Sequence, residues 1–197
     1  MLKKHLKSKN LILASGSPRR QDLLKSLGVP FEIRLKQIDE QYPKELTQSD
    51  ISDYLAKLKS NAFTEELKPN DVLITSDTIV WHEDVALGKP KTKEDAFLML
   101  QKLSGKTHDV ITSVCIKSWS KEYIFNSTTK VTFKELSEKE IEFYINNYNP
   151  MDKAGAYGIQ DWIGQIGVTK IDGSYFNVMG FPIDKIYTQL LKFSKEF

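Results

Sequence analysis

The sequence predicts an α/β protein built around a mixed β-sheet flanked by helices. Segments typical of strands and of helices alternate along the 197 residues, which favours a sheet covered by helices. Hairpin patterns in the middle of the chain add antiparallel strand pairs, so they argue against a purely parallel sheet. Because 40% of the residues are hydrophobic, the chain can bury a substantial core, and we expect one domain over residues 1–197.

The order of the predicted elements follows from local signals for strands, turns and helix ends. An apolar strand, Leu11–Ala14, leads into a helix that Pro18 begins and Gly28 ends. Apolar residues recur at helical spacing after Ser49, and the apolar run at 72–74 predicts a buried strand. The remaining predictions are a strand at 31–35, a hairpin around Glu83–Asp84, a helix capped by Thr92 and Asp95, strands within 110–119, 123–125 and 130–133, a helix capped by Ser137 and Glu140, a hairpin at Asp172–Gly173, and a terminal helix opened by Pro182.

The net charge and the cysteine content exclude several classes of function and of binding site. The net charge of +2 is too small for nucleic-acid binding through bulk electrostatics, and residues 1–10, with four lysines, are expected to be a flexible basic arm. The sequence shows neither a signal peptide nor an apolar stretch of membrane-spanning length, so we expect a cytoplasmic protein without a membrane partner. The single cysteine, Cys115, excludes an internal disulfide and a cysteine-based zinc site, and its apolar surroundings predict a buried thiol.

The turn between the first strand and the first helix predicts an anion site. Helix N-termini carry unpaired N–H groups and a partial positive charge, which together bind phosphate. Gly16 allows a ligand to approach the backbone closely, and Ser17 is a suitable capping residue. Arg19 and Arg20 add charged donors that fit phosphate oxygens. The alternative is an ordinary capped helix whose arginines face solvent.

Carboxylates and lysines elsewhere point to phosphoryl or nucleotidyl chemistry. Asp77 follows a predicted buried strand, where a charge is costly unless it has a partner, so it is either a metal ligand or base, or a structural acid. Lys59 lies four residues after Leu55, near the apolar face of its helix. Lys89 occupies a tight turn, and Asp39-Glu40 is an acidic turn. Cations with carboxylates that hold a divalent metal are what such chemistry requires.

Eight segments in register give the chain a resemblance to the Maf-like nucleoside triphosphate pyrophosphatases, also called septum formation inhibitor Maf. The resemblance covers Leu11 to about Leu191. One such segment would be a weak signal, whereas eight in the same order are highly specific. The segments are LASGSPRR (13–20), DE (39–40), LAKLK (55–59), SDTIV (76–80), GKP (88–90), LSGKTHDV (103–110), DKAGAYGIQ (152–160) and GSYFNVMGFP (173–182).

The resemblance implies a fold, an activity and a cofactor. The implied fold is similar to that of inosine triphosphate pyrophosphatases: an elongated mixed sheet with two lobes and a central cleft. The implied activity is hydrolysis of a nucleoside triphosphate to the monophosphate and pyrophosphate, dependent on Mg²⁺ or Mn²⁺. A homodimer, removal of non-standard pyrimidine nucleotides and a link to division arrest are further implications of the resemblance.

Carried over by position, the resemblance also assigns residues. Asp77 falls on the family's proton acceptor, and we expect it to hold the metal together with Glu40. The form of three segments matches the branch that acts on dTTP and UTP, which makes Arg19, Thr78 and Gln160 the specificity positions. The expected phosphate-binding residues are Ser15, Gly16, Ser17, Arg19, Arg20, Lys59 and Lys89.

The Gln160 side chain suits the base edge of uracil or thymine. Its amide offers one acceptor and one donor, as do the N3–H and O4 groups of those bases. Asp161 follows where the family frequently has glycine, a change expected to stiffen the loop or shift base preference. Two rival functions stay open: a nucleotidyltransferase, and a non-catalytic nucleotide-binding regulator.

Overall fold

Seven strands and eight α-helices alternate along residues 2–193, the part of the chain that the computed structural model describes. The strands are β1 (Asn10–Leu13), β2 (Glu32–Ile33), β3 (Asp71–His82), β4 (Val85–Leu87), β5 (Thr107–Lys117), β6 (Glu122–Phe133) and β7 (Val168–Asp172). The helices are α1 (Leu2–His5), α2 (Pro18–Lys25), α3 (Ser49–Asn61), α4 (Lys93–Leu103), α5 (Glu138–Tyr148), α6 (Trp162–Gly167), α7 (Tyr175–Val178) and α8 (Ile183–Phe193). None of these helices combines the length and apolarity needed to cross a membrane.

The strands form one mixed sheet in the order β2-β1-β3-β5-β6-β7, with β4 paired to β3. β1 runs parallel to both of its neighbours, and Leu13 lies opposite Ile33 and Ile74. β4 is antiparallel to β3, and β7 is antiparallel to β6. The predicted α/β class with a mixed sheet is therefore confirmed.

The chain divides into two compact units. Within the described residues, unit 1 comprises residues 2–77, 112–127 and 180–193, and unit 2 comprises residues 78–111 and 128–179. β3, β5 and β6 each contribute residues to both units. That the whole chain forms a single domain stays a prediction.

The N-terminal residues of unit 1 include the helix α1 and two buried leucines, and the flexible arm expected over residues 1–10 stays a prediction. Leu2 and Leu6 are buried, and α1 packs against α8. Burying two leucines stabilises the fold by roughly 3–6 kcal/mol. Lys3, Lys4 and Lys7 are exposed, so the basic residues form the outer surface of a packed segment.

The centre of unit 1 is apolar and encloses the one cysteine. Ile12, Phe63, Leu67 and Leu73 form one buried cluster, which packs β1 and β3 against the segment that follows α3. Cys115 lies in β5 and is fully buried. Burial raises the pKa of its thiol to about 11, which keeps it protonated at neutral pH. The predicted buried structural thiol is confirmed.

In unit 2, the predicted helix caps and the predicted β3–β4 turn are confirmed, because each depends only on residues close in sequence. Thr92 and Ser137 each cap a helix through a reciprocal capping box with the acid three residues on. Glu83 and Asp84 turn the β3–β4 hairpin with φ values of 48° and 59°, a left-handed conformation that hairpin turns require.

The prediction of a hairpin at Asp172–Gly173 is wrong. β7 ends at Asp172, and the chain continues into α7. The Ser174 hydroxyl accepts a hydrogen bond from the Asn177 N–H and so caps this helix. Side-chain capping by Ser174 therefore replaces the expected return strand.

His108 in unit 2 gives the fold a pH dependence. Its Nε2 lies 2.7 Å from the Tyr157 hydroxyl, and the ring is 3% exposed. Burial, with a smaller contribution from the nearby His82, lowers the pKa of His108 from 6.5 to about 3. Between pH 6.5 and about 3, His108 is therefore protonated in the unfolded chain and neutral in the folded chain.

We expect acid to destabilise the protein through His108. The free energy of unfolding should fall by about 1.4 kcal/mol per pH unit from this group as the pH drops below 6.5. Urea unfolding from neutral pH to about pH 4 measures the slope. His108→Gln should show a shallower slope, and equal slopes in the two proteins would contradict the assignment.

Candidate active site

The turn that joins β1 to α2 is closed by Ser15. Its Oγ accepts the Ser17 N–H at 3.2 Å, and its carbonyl accepts the Gln21 side-chain amide at 3.1 Å. Gly16 is exposed, and Pro18 begins the helix. Ser17 occupies the N-cap position, but its side chain makes no capping bond within the described chain. The turn thus presents an exposed glycine at a helix start, which is the form of an anion site.

Arg20 links three parts of unit 1. Its Nε donates to the Gly180 carbonyl and its Nη1 to the Ser76 carbonyl, each at 2.8 Å. Burial lowers the pKa of Arg20, and the Asp77 carboxylate opposes that shift. Arg19, beside it, is partly buried. Because two Arg20 donors bind backbone carbonyls, Arg20 fixes the backbone next to Asp77. It also carries the positive charge for which the sequence analysis selected it.

Asp77 lies inside β3, not after it as the sequence predicts. The strand continues through Thr75 and Ser76 because both side chains are buried and hydrogen-bonded. The Thr75 hydroxyl donates to the Ala56 carbonyl at 2.7 Å, and the Ser76 hydroxyl donates to the Gly180 carbonyl. Asp77 is itself 6% exposed. A carboxylate this buried requires a cationic partner.

Lys59 supplies that partner and joins Asp77 to Glu40. Its Nζ lies 2.6 Å from Asp77 Oδ1 and 3.0 Å from Glu40 Oε1. The Lys59 side chain is 14% exposed, that of Asp77 9% and that of Glu40 41%. One ammonium group therefore holds two carboxylates from distant parts of the sequence.

Helix α3 places Lys59 beside Asp77 because the buried face of the helix packs against the sheet and is hydrogen-bonded to it. Leu55 and Ala56 are buried, and the Ala56 carbonyl accepts the Thr75 hydroxyl. The hydroxyls of Ser52 and Ser113 form a second buried bond, 2.7 Å long. Helical spacing predicts Lys59 near this face, and the structure confirms that placement.

The loop that carries Glu40 is anchored to the C-terminal end of α3 and the segment that follows it. Lys36 Nζ donates to the Ala62 carbonyl at 2.7 Å, pairs with Glu66 and lies 5.0 Å from the centre of the Phe63 ring. Asp39 instead accepts the Gln41 side-chain amide. Of the acidic pair, Glu40 is the residue that contacts Lys59.

The donor set of Asp77 and Glu40 fits a hard divalent cation. Both supply carboxylate oxygens that converge on one positive charge. Mg²⁺ commonly binds one or two carboxylates and takes its other ligands from water and phosphates. No cluster of three or more histidine, cysteine or acidic residues suited to a metal occurs within residues 2–193. A metal bound here would thus depend on non-protein ligands as well.

Three predicted site residues belong to unit 2. Thr78 is partly buried in β3, and Lys89 is exposed in the segment after β4. The Gly155 N–H donates to the Gly88 carbonyl at 3.0 Å, which brings the Lys89 turn beside the segment before Gln160. The Oε1 atom of Gln160 is buried and has no hydrogen-bond partner among the described residues.

Several supporting contacts are absent from the sequence prediction. Ser76 and Gly180 bind Arg20 through their carbonyls, and backbone acceptors leave no mark in side-chain patterns. The Tyr144 hydroxyl donates to the Asp161 carboxylate in a partly buried hydrogen bond beside Gln160. The sequence singles out Asp161 as a residue that stiffens this loop or shifts base preference, but it does not indicate Tyr144 as its partner.

Comparison with known proteins identifies the family. The model of the Maf-like protein family matches residues 10–193. A Flavobacterium psychrophilum protein named dTTP/UTP pyrophosphatase is 56% identical over 97% of this chain and 98% of its own length. A Flavobacterium johnsoniae protein of the same name is 57% identical, over 96% and 98%, and one from Parabacteroides distasonis is 45% identical, also over 96% and 98%.

Among solved structures, a nucleoside-triphosphatase, dITP/XTP pyrophosphatase, from Mycobacterium abscessus aligns with 95% of this chain and 97% of its own, with a TM-score of 0.45 and 13% identity. That similarity is too low to add to the assignment. The family match over residues 10–193 and the identity to full-length relatives agree with each other. This chain belongs to the family of Maf-like proteins.

Proposed function

We propose that this protein is a nucleoside triphosphate pyrophosphatase that hydrolyses dTTP and UTP to the monophosphate and pyrophosphate. The observation that carries the proposal is the Glu40–Lys59–Asp77 arrangement, which places two carboxylates and a cation in one small volume. The names of relatives that are 45–57% identical support the substrate assignment.

Asp77 acts as the general base in this proposal. It takes a proton from water, and the water oxygen attacks the α-phosphorus. The bond from the α-phosphorus to the bridging oxygen breaks, and pyrophosphate leaves. Arg20 keeps the β3 backbone in place through the Ser76 carbonyl, so the carboxylate is held before substrate binds.

The cations neutralise the triphosphate in the ground state and the growing charge on the leaving pyrophosphate. Lys59, Lys89, Arg19 and Arg20 provide this charge, and the Ser15–Ser17 turn offers backbone N–H groups. Glu40 and Asp77 would hold Mg²⁺ or Mn²⁺, which supplies further charge neutralisation on phosphate oxygens. Thr78, Arg19 and Gln160 select the nucleotide in this proposal, with the Gln160 amide binding the uracil or thymine edge.

Hydrolysis of UTP in oxygen-18 water tests the reaction. The expected products are pyrophosphate and UMP, formed with Mg²⁺ and without any acceptor alcohol or phosphate. The label should appear in UMP, because water attacks the α-phosphorus. A requirement for an acceptor would favour a nucleotidyltransferase, and UDP with labelled inorganic phosphate would place the attack at the γ-phosphorus.

A non-catalytic regulator is the other rival. It would bind UTP without turnover, which equilibrium dialysis beside the product assay distinguishes. A panel of dTTP, UTP, CTP, ATP and GTP, compared by kcat/KM, then tests the proposed pyrimidine preference.

A further inference from the structure

A buried tyrosine closes the loop that ends at Gln160. The Tyr144 hydroxyl, on α5, donates to Asp161 Oδ2 at 2.7 Å and accepts the Gly158 N–H at 3.0 Å. Tyr144 is fully buried, and the Asp161 carboxylate also lies 3.7 Å from the Lys153 ammonium. One hydroxyl thus binds the residues on both sides of the Ile159-Gln160 pair.

Backbone contacts leave this loop little freedom. The Asp161 N–H donates to the Gly158 carbonyl at 3.0 Å, and the Gln165 side-chain amide donates to the Gln160 carbonyl at 3.0 Å. A Cβ added at Gly164 would lie 2.1 Å from the Ile159 carbonyl oxygen, so α6 packs directly on the loop backbone. The main chain at Gln160 is therefore fixed on both sides.

The Gln160 side chain itself is incompletely bonded. Its Oε1 is buried and lacks a hydrogen-bond partner among residues 2–193. A buried acceptor without a partner costs free energy, and such atoms call for an explanation such as a bound ligand. The protein thus holds the Gln160 backbone tightly, while the buried amide oxygen has no hydrogen-bond partner among the described residues.

We propose that Tyr144 and Asp161 are positioning residues for base selection: they hold the Gln160 loop so that its amide oxygen accepts from a pyrimidine N3–H. This inference rests on the proposed function. Uracil and thymine carry a donor at N3 and an acceptor at O4, whereas cytosine carries an acceptor at N3 and a donor at N4. A glutamine amide turned over by 180° would bind cytosine equally well. Discrimination therefore requires the amide to be held in one orientation.

Gly158 shows how closely the carboxylate is seated. A Cβ added there would lie 2.5 Å from Asp161 Oδ2 and 2.7 Å from its Cγ. Gly158→Ala should therefore push the carboxylate away from Tyr144, and it acts on Asp161 without touching Gln160. If Asp161 is already alanine, the added methyl group meets no carboxylate, so the two substitutions should be non-additive.

The experiment measures kcat/KM for UTP and CTP in four variants: Asp161→Ala, Tyr144→Phe, Gly158→Ala and the double variant Gly158→Ala/Asp161→Ala. We expect the UTP-to-CTP ratio to fall about tenfold in each single variant, as for loss of one hydrogen bond to a charged group. The double variant should be no less selective than Asp161→Ala alone. The loss should come from a higher KM for UTP while kcat stays near the wild-type value, since the base contact is made in both ground and transition states.

Tyr157→Phe is the matched control. It also removes a buried tyrosine hydroxyl with a 2.7 Å bond, but the partner of that hydroxyl is His108 in β5, not Asp161. It should lower stability and keep the selectivity ratio. Any loss of folded enzyme cancels in the ratio, because both nucleotides are tested on the same protein.

The possible outcomes separate the two proposals. A wild-type protein that turns over no nucleoside triphosphate overturns the proposed function. A wild-type protein that prefers UTP, with unchanged selectivity in Asp161→Ala and Tyr144→Phe, overturns the positioning role alone. Equal loss of selectivity in Tyr157→Phe would also overturn it, since general loosening of the core would then suffice.

Discussion

Asp77→Asn should lower kcat for UTP hydrolysis by about 10²–10⁴-fold, the usual contribution of a positioned general base. Asparagine keeps the size of the side chain and removes the group that takes the proton. It also weakens the contact with Lys59, whose Nζ lies 2.6 Å from Asp77 Oδ1. Steady-state kinetics with saturating Mg²⁺ measures the effect, and thermal unfolding confirms that the variant is folded.

Asp53→Asn is a suitable control for that experiment. Asp53 is a partly buried carboxylate on α3, and both of its oxygens accept from the Asn126 side-chain amide, at 3.3 and 3.2 Å. It does not form part of the Lys59 pair, so this variant should retain wild-type kcat. Full activity in Asp77→Asn would show that another group activates the water.

Lys59→Met should have two large effects, one on catalysis and one on the stability of the metal-free protein. We expect kcat/KM to fall by about 10²-fold, since a preorganised cation is lost from the triphosphate site. Without the ammonium, the buried Asp77 side chain loses its bonded cationic partner, which costs about 3 kcal/mol of stability. Kinetics and urea unfolding measure the two effects separately.

Metal binding gives the Lys59 prediction a third measurement. If Asp77 and Glu40 hold the metal as proposed, a divalent cation would compete with the Lys59 ammonium for them in the wild-type protein. Mn²⁺ should therefore raise the unfolding temperature of Lys59→Met more than that of the wild type, because binding to the folded state alone stabilises it.

Lys57→Met provides the matched surface substitution. Lys57 lies on the same helix, its side chain is 53% exposed and it pairs with Glu122. An exposed pair of this kind contributes at most about 1 kcal/mol. If Lys59→Met behaved like Lys57→Met in stability and Mn²⁺ response, the bridging role of Lys59 would be refuted.

Features decided by residues close in sequence were predictable. The Thr92 and Ser137 capping boxes depend on an acid three positions away, and the Glu83–Asp84 turn depends on two residues. The α/β class followed from alternating patterns, because hydrophobic periodicity reflects which faces are buried. These predictions needed no knowledge of tertiary contacts.

Features decided by distant partners were not predictable. Polar residues at 126–129 divided the expected strands, yet β6 runs unbroken through them. Ser127 and Thr129 are buried there, and the Thr129 hydroxyl exchanges hydrogen bonds with the backbone of Ser174. A partner 45 residues away thus makes a turn-like sequence acceptable inside a strand.

The candidate site shows the same limit. Its residues were named from local pattern and resemblance, but nothing in the sequence indicates that Lys59 contacts both Asp77 and Glu40. Nor does a pattern show that two Arg20 donors bind backbone carbonyls. Residue types can be read from the chain, whereas the pairing among them depends on how α3 and β3 meet.

The burial of Cys115 provides the protein with an internal reporter of its own opening. A thiol reagent attacks the thiolate, and this thiol is both inaccessible and, with its pKa raised to about 11, protonated at neutral pH. The sequence holds one cysteine, so every labelling event reports the same position in β5. The labelling rate of the unmodified enzyme under native conditions therefore measures how often the centre of the sheet opens, and how far a bound nucleotide or metal suppresses that opening.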